Sequence, residues 1–281
     1  MNRLKTAVLM TVLTVILVLI GEWIGGISGM LWFLLLGVAM NGFSYFFSDR
    51  IALAMAHAQP VTEQEAPQLY AIVRDLCERA NLPMPRIYIT PDPQPNAFAT
   101  GRNPSHAAVA CTQGILQMLE PWELEGVLAH EISHVRNRDI LISSIAAVLA
   151  GAITSIARIL QFGWLFGGND DERDNPLALI GQLLMIILAP LAAALVQLSI
   201  SRSREFAADA SGAKLLGTGE PLAQALEKID SAAQRIPSYS ASPSTAHLYI
   251  INPLKARDWT TLFSTHPPTA ERIRRLLAMH F

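Results

Sequence analysis

Charged residues are scarce in this chain of 281 residues, and no sign of charge dominates. Only 16% of the residues are charged and 51% are hydrophobic, and the mean hydropathy is +0.33. Since about a quarter of the residues of a soluble globular protein are charged, this composition predicts an integral membrane protein. The 21 basic and 23 acidic residues nearly cancel, which argues against a nucleic-acid-binding protein.

Cysteine is also nearly absent. Cys77 and Cys111 lie far apart in the sequence, and neither belongs to a CxxC pair. This pattern therefore indicates neither a thiolate metal site nor a disulfide framework. Both residues are therefore predicted to be buried structural thiols.

Long hydrophobic segments, in contrast, are plentiful. Four of them approach or exceed the roughly 20 residues that a spanning helix needs; they are residues 7–24, 30–47, 140–166 and 177–200. The sequence GGISG joins the first two segments into a predicted hairpin. The first segment is too long for the apolar core of a signal peptide and lacks a cleavage site, so we expect it to be a retained anchor.

Basic residues next to these segments predict the orientation of the chain. If the four spans alternate in direction, the acidic loop 170–172 lies on one side of the membrane and the flanking basic residues lie on the other. The positive-inside rule makes that second side cytoplasmic. These basic residues are Arg3, Lys5, Arg50, Arg136, Arg138, Arg202 and Arg204.

The predicted organisation has four parts. They are a transmembrane hairpin (1–47), a first cytoplasmic part (48–139), a second transmembrane pair (140–200) and a second cytoplasmic part (201–281).

Within residues 48–139, the pattern changes from helical to extended. Thr62 and Glu65 form a capping box ahead of an apolar stripe that ends near Cys77, which predicts a helix. Three β-rich segments, 86–90, 96–100 and 107–111, then predict a small antiparallel sheet.

Pro121 predicts the start of another helix at its first position. Further helices are expected from residue 201, over 219–235 and over 270–277.

The helix after Pro121 carries the sequence His130-Glu131-Ile132-Ser133-His134. Residues four apart lie on one helix face, so His130 and His134 can present two imidazole nitrogens to one metal ion. Glu131 lies beside that face and can accept a proton from a water molecule at the metal, as a metallopeptidase requires. The alternative is a polar helix end with no metal.

Glu205 is the candidate third ligand. His134 precedes the third apolar segment, and Glu205 follows the fourth, each by a few residues. At about 1.5 Å per residue, both lie within roughly 10 Å of the same membrane face. Asp209 follows Glu205 by one helical turn and can accept a hydrogen bond from a ligating histidine. The alternative is that Glu205 and Asp209 only balance Arg202 and Arg204.

Several motifs together resemble one known family. In chain order they are two N-terminal spans, PNAFATG, HEISHVRNRD leading into a third span, SRSREFAADASGA after a fourth span, and STHPPTAERIRRL. This arrangement is similar to the HtpX family of bacterial heat-shock membrane zinc metalloproteases, which are related to the eukaryotic CaaX prenyl endopeptidase. The resemblance extends over nearly the whole chain.

The resemblance implies one zinc ion held by His130, His134 and Glu205, with Glu131 as the general base and Asp209 supporting a ligand. It also implies that Asn96, Ala97, Phe98 and Ala99 form an edge strand along which a peptide pairs, although a covered hairpin would fit the same pattern. His266 would bond the developing oxyanion and Arg272 would support the site. From the sequence alone, His266 is equally well a loop histidine before two prolines.

The resulting expectation is a mainly α integral membrane protein. It has four transmembrane helices and a gluzincin-type cytoplasmic catalytic domain that contains a small antiparallel β-sheet. The expected partners are the lipid bilayer and protein or peptide substrates, especially misfolded or damaged proteins of the bacterial inner membrane. A non-catalytic adaptor or a metal carrier is the alternative. A carrier would need ionisable residues at bilayer depth, and the spans contain only Glu22 and Arg158, near their outer ends.

Overall fold

The structure is a computed structural model that describes residues 2–146, 202–233, 235–236, 248–251 and 267–281. The predicted fourth span, most of the third and His266 lie outside these ranges.

The N-terminal helix α1 (Asn2–Met55) is a helical hairpin. Its direction reverses at Gly25 and Gly26, and Gly26 has a φ of 56°, which glycine adopts without steric cost. The two arms are joined by the side chain of Asn41, whose Nδ2 donates to the Met10 carbonyl at 3.1 Å and to Thr14 Oγ1 at 2.8 Å. The first two apolar segments therefore form the predicted hairpin.

Only one helix among the described residues, Gly25–Met55, is long and apolar enough to cross a membrane. Met10–Trp23 is a shorter apolar helix. Many of the large hydrophobic side chains of α1 are exposed, among them Trp23, Ile27 and Trp32, as expected for helices that face lipid.

The C-terminal end of α1 docks on the β-sheet. Ala52, Leu53 and Ala56 are buried against Phe98 and Ala108. Next to them, Arg86 at the start of β2 forms an ion pair with Asp49 of α1. The C-terminal end of the apolar hairpin therefore packs directly on the β-sheet.

The sheet contains four strands: β1 (Gln59–Pro60), β2 (Arg86–Thr90), β3 (Ala97–Gly101) and β4 (Ala107–Thr112). Their spatial order is β1-β2-β4-β3, so β3 lies at an edge. β3 and β4 pair antiparallel, as predicted, but β2 runs parallel to β4.

The prediction of an antiparallel sheet is therefore wrong, since the sheet is mixed. Pro91, Pro93 and Pro95 lie between β2 and β3. Each proline lacks an N–H and restricts its neighbour, which disfavours a tight hairpin at this position. β3 accordingly does not fold back on β2, and β4 occupies the place between them.

Helix α4 (Pro121–Asn137) packs against β3. The other helices are α2 (Pro67–Ala80), α3 (Gln113–Met118), α5 (Arg202–Leu216), α6 (Glu220–Ala233) and α7 (Thr269–Leu277). α2, α5 and α6 contact α4, and α7 contacts α5 and α6. Val127, Leu128 and Ile132 of α4 are fully or almost fully buried at the centre of the main core.

Helix α2 begins later than its capping box predicts. The Thr62 N–H and hydroxyl both donate to the Glu65 carboxylate, but these contacts close a turn rather than start the helix. Ala66 is held out of helical geometry because it precedes Pro67. The helix therefore begins at Pro67.

Cys77 and Cys111 both lie in the main core as free thiols, as predicted. Burial raises the pKa of Cys77 to about 11 and that of Cys111 to about 12.

Candidate active site

Helix α4 presents His130 and His134 one turn apart. Their Nε2 atoms are 3.1 Å apart, and both rings point to the same side of the helix. His130 is almost completely buried, and His134 retains partial exposure. Two imidazole nitrogens are therefore directed at one point in a sheltered cleft.

Glu205 of α5 completes a triad with these histidines. Its Oε2 lies 3.7 Å from Nε2 of His130, and its Oε1 lies 3.6 Å from Nε2 of His134. For three ligands of a tetrahedral zinc ion at about 2.05 Å, the expected separation between donor atoms is about 3.4 Å. The three observed separations bracket this value, so the donor set fits zinc in both chemistry and spacing.

Close packing of α5 on α4 brings Glu205 to this position. Gly212 faces the backbone of α4, where an added Cβ would lie 3.0 Å from the His130 nitrogen and 3.1 Å from the Ala129 carbonyl carbon. Because glycine has no side chain, the two helix backbones approach at the level of His130. This approach places Glu205 beside the histidines.

The ring nitrogen of His130 that faces away from the triad, Nδ1, bonds to Asp209 of α5. Nδ1 of His130 lies 2.9 Å from Asp209 Oδ1, and Arg272 of α7 contacts both oxygens of the same carboxylate, at 2.7 and 2.9 Å. Burial raises the pKa of Asp209, but the positive charge of Arg272 and the hydrogen bonds outweigh this and lower the pKa to about 2. Asp209 therefore stays ionised and orients the His130 ring.

The corresponding nitrogen of His134, Nδ1, bonds to a carboxylate that was not among the predicted site residues. Nδ1 of His134 lies 3.2 Å from Asp139 Oδ2. Arg138 ends α4 in the left-handed conformation, and the Asp139 N–H then donates to the His134 carbonyl at 3.0 Å. This turn folds Asp139 back over His134. The sequence signal that could have predicted this contact is the spacing: Asp139 lies five residues after His134, one place beyond a helical turn.

Asp139 also affects the protonation of His134. Burial by itself lowers the pKa of His134, but the hydrogen bond to Asp139 and the negative charges of Glu205, Glu131 and Asp139 outweigh it, and the pKa rises to about 9. The site therefore strongly favours a positive charge at the position of the triad.

Glu131 lies on the same side of α4, against strand β3. Its Oε2 accepts a hydrogen bond of 2.9 Å from the Ala99 N–H. Burial raises the pKa of Glu131 above that of an ordinary glutamate. A carboxylate with a raised pKa is suited to accept and release a proton during catalysis.

A cleft of about 50 Å³ joins these groups. The cleft is also lined by the polar residues Asp139, Ser143 and Arg204, by Phe98 and by residues 248–250. Neither Arg204 nor residues 248–250 were among the predicted site residues, because nothing in their local sequence marks them.

The structure therefore brings together Glu131, the triad, Asp209 and Arg272 at one site, with Ala97, Phe98 and Ala99 in the adjoining strand. The Gly101 N–H at the end of β3 donates to Ser144 Oγ at 3.2 Å, so part of the strand edge is covered. Asn96 precedes β3, and its side chain is buried and directed toward residues 248 and 250. His266 lies outside the described residues.

The chain is also similar in sequence to known proteases. Residues 63–280 match the model of peptidase family M48. A protease HtpX homologue of Pelotomaculum thermopropionicum is 56% identical over 280 residues, and one of Syntrophobacter fumaroxidans is 53% identical; each alignment covers 99% of both chains.

Ste24p of S. mikatae has a similar fold, with a TM-score of 0.51 at 22% identity, over 98% of this chain and 64% of that one. The predicted resemblance is confirmed. With its possible metal triad and its family match over most of its length, the chain belongs to peptidase family M48 and is a metalloprotease.

Proposed function

We propose that this chain is a zinc-dependent endopeptidase of the bacterial inner membrane that hydrolyses misfolded or damaged membrane proteins at the cytoplasmic face. One observation carries the proposal: His130, His134 and Glu205 converge beside a buried Glu131 at the edge of a strand. The role in quality control rests on the similarity to the HtpX homologues.

Zinc suits the triad because two imidazoles and one carboxylate are a common ligand set of catalytic zinc, which leaves a fourth position open. When bound, zinc supplies the Lewis acid that acidifies water and polarises the peptide carbonyl. The carboxylates of Asp209 and Asp139 hold the His130 and His134 rings with Nε2 directed toward Glu205, where these three residues would hold the ion.

Glu131 acts as the general base and then as the general acid. It takes a proton from the attacking water and delivers it to the amine nitrogen that leaves when the peptide bond breaks. Its buried position and raised pKa favour both transfers. In the structure its partner is the Ala99 N–H, so Glu131 and β3 are already in contact.

The extended substrate pairs with the outer edge of β3 through Ala97 and the Ala99 carbonyl, because the Ala99 N–H already donates to Glu131. Main-chain pairing accepts many sequences, which suits an enzyme that removes damaged proteins. The Ser144 contact at Gly101 limits this pairing to the first part of the strand. His266 remains the proposed donor to the developing oxyanion, and Arg272 is proposed to support the site through Asp209.

The proposed orientation has four spans, with the site next to the cytoplasmic surface. The docked hairpin α1 supports it, because Ala52 and Ala56 at its end already touch the sheet. Asp139, which contacts His134, is immediately followed by the helical residues 140–146 that begin the third apolar segment. The triad is thus only a few residues from the predicted membrane boundary.

The test uses the purified full-length chain in detergent with a loosely folded protein as substrate. Zinc content and hydrolysis are measured for the parent, for Glu131→Ala and for Glu125→Ala, a control that removes a partly exposed carboxylate from the same helix. We expect one zinc per chain in all three, with hydrolysis lost in Glu131→Ala and after treatment with a chelator. Full activity of Glu131→Ala would refute the mechanism, and zinc binding without hydrolysis in the parent would favour the adaptor.

A further inference from the structure

Residues 248–251 form a wall of the cleft without providing a metal ligand or a general base. Leu248, Tyr249 and Ile250 line the cleft beside Phe98 and the two histidines, and all three are buried. They lie far in the sequence from β3, so specific contacts must hold them in place.

Asn96 supplies two of these contacts through its side-chain amide. Its Nδ2 donates to the Leu248 carbonyl at 3.2 Å, and its Oδ1 accepts from the Ile250 N–H at 2.9 Å. The side chain thus uses its donor and its acceptor at once. Only 2% of Asn96 is exposed, so this amide does not face a substrate.

The backbone of Asn96 is also engaged. Its N–H donates to Thr112 Oγ1 at 2.9 Å, and its carbonyl accepts from the Thr112 N–H at 2.9 Å. With the main chain and the amide both used internally, Asn96 has little to offer an incoming peptide. The contacts favour a positioning role over direct pairing with substrate.

Arg272 holds Ile250 from its carbonyl side. Its Nη1 donates to the Ile250 carbonyl at 3.1 Å while its other nitrogens contact Asp209, which in turn bonds to His130. Ile250 is therefore held at its N–H by Asn96 and at its carbonyl by Arg272. The wall is connected to the metal-binding helix on one side and to the proposed substrate strand on the other.

The wall is apolar where it meets β3. Leu248 packs with Phe98 in the small cluster that also contains Ala52 and Ala56 of α1. The same cleft is also lined by the polar residues Asp139, Ser143 and Arg204. Phe98 and Leu248 are therefore the apolar contact that the cleft offers beside β3.

We propose that Asn96 is a positioning residue that clamps residues 248–251 as the wall of an apolar subsite, so that the enzyme selects peptides with an apolar side chain next to the scissile bond. The clamp itself follows from the contacts of Asn96 and Arg272, whereas the selectivity rests on the proposed function.

The test compares the zinc-loaded full-length parent with Asn96→Ala and Asn96→Asp. Asn103→Ala is the control, because it removes an asparagine whose side chain bonds to His106 in the surface turn before β4. Hydrogen exchange of the Ile250 amide is followed by mass spectrometry. Hydrolysis is measured on quenched fluorescent peptides that carry alanine, leucine, phenylalanine or glutamate beside the cleaved bond.

In Asn96→Ala we expect the Ile250 amide to exchange at least about tenfold faster, since a lost buried hydrogen bond corresponds to a factor of that order. The preference for leucine over glutamate should fall by about tenfold, mainly through KM, with zinc content preserved. Asn96→Asp keeps the acceptor for the Ile250 N–H, so it should lie between Asn96→Ala and the parent. Asn103→Ala should match the parent.

Unchanged exchange at Ile250 in Asn96→Ala would overturn the clamp. Faster exchange with an unchanged peptide preference would overturn the subsite. If Asn96→Ala does not fold, Asn96→Leu, which keeps the side-chain volume but removes both hydrogen bonds, decides both points, and parental behaviour in that variant would refute them. A parent that exchanges as expected but hydrolyses none of the peptides refutes the proposed function and the selectivity while leaving the clamp intact.

Discussion

Asp139 Oδ2 lies 3.2 Å from Nδ1 of His134 and is the counterpart of Asp209, whose Oδ1 lies 2.9 Å from Nδ1 of His130. Each imidazole of the candidate metal site therefore has its Nδ1 atom beside a different carboxylate. Asp209 comes from α5, whereas Asp139 follows the turn that ends α4. The two histidines are thus oriented by independent parts of the chain.

Replacing Asp139 should weaken metal binding without removing a ligand. Loss of a carboxylate behind a ligating histidine usually reduces metal affinity about 10- to 100-fold, and we expect Asp139→Ala to fall in this range. The zinc Kd is measured by competition with a chromogenic chelator. Asp75→Ala, which removes an exposed carboxylate of α2, is the control. Equal affinity of Asp139→Ala and the parent would show that Asp139 does not orient His134.

Asp209 should make the metal-free protein sensitive to acid. Its pKa is lowered to about 2 from the ordinary value of 3.8, so its ionised form stabilises the fold fully above pH 3.8. This stabilisation, on the order of 2 kcal/mol, is lost as the pH falls from about 4 to about 2. We expect the gap in Tm between the parent and Asp209→Asn to be largest near pH 6 and to shrink in acid, both measured with chelator present. A gap that is constant with pH would contradict the assignment.

Arg272 should be far more important for stability than its exposed neighbour Arg274. Arg272 is 1% exposed and bonded to Asp209, whereas the Arg274 side chain is 71% exposed. Removing one partner of a buried ion pair costs about 3–5 kcal/mol, while an exposed pair contributes about 1 kcal/mol or less.

We therefore expect a large fall in Tm for Arg272→Ala and a small one for Arg274→Ala by thermal unfolding. The double variant Arg272→Met/Asp209→Asn should recover part of the loss, because no buried charge is then left unpaired. Similar Tm values for the two single variants would contradict this account.

Gly212 should control the distance between α5 and the metal-binding helix. A Cβ on Gly212 would press on the α4 backbone at Ala129 and His130, and overpacking of this kind costs about 1–3 kcal/mol. Gly212→Ala should therefore lower the Tm and weaken zinc binding by moving Glu205 away from the histidines. Ala207→Ser, on the exposed face of the same helix, is the control. If Gly212→Ala retains parental zinc affinity, the spacing of the triad does not depend on this contact.

Local patterns in the sequence were sufficient for most elements near the site. The alternation in 86–90 predicted β2 with the observed bounds, and Pro121 marked the first residue of α4. His130 and His134 had to share a face because their spacing matches one helical turn. These features depend on bonds between residues close in the chain, which is why periodicity and capping residues reveal them.

Features that depend on distant contacts were predicted less well. The parallel pairing of β2 with β4 was missed because strand order is set by the chain that connects the strands and by packing on the sheet. Asp139 was missed because its role needs the left-handed turn at Arg138. Glu205 was predicted only by adding the assumption that two spans return the chain to the same membrane face.

The sequence by itself therefore predicted the chemistry of this protein: two histidines on one helix face with a glutamate beside it, a distant acidic helix, and an apolar hairpin. The tertiary structure alone decided which distant residues form the wall of the cleft. Residues 248–251 carry no motif, and the hydrogen bonds of Asn96 and Arg272 together with the packing of Leu248 on Phe98 place them beside the possible metal triad. Such contacts join residues far apart in the chain, and their geometry exists only once the core around α4 has packed.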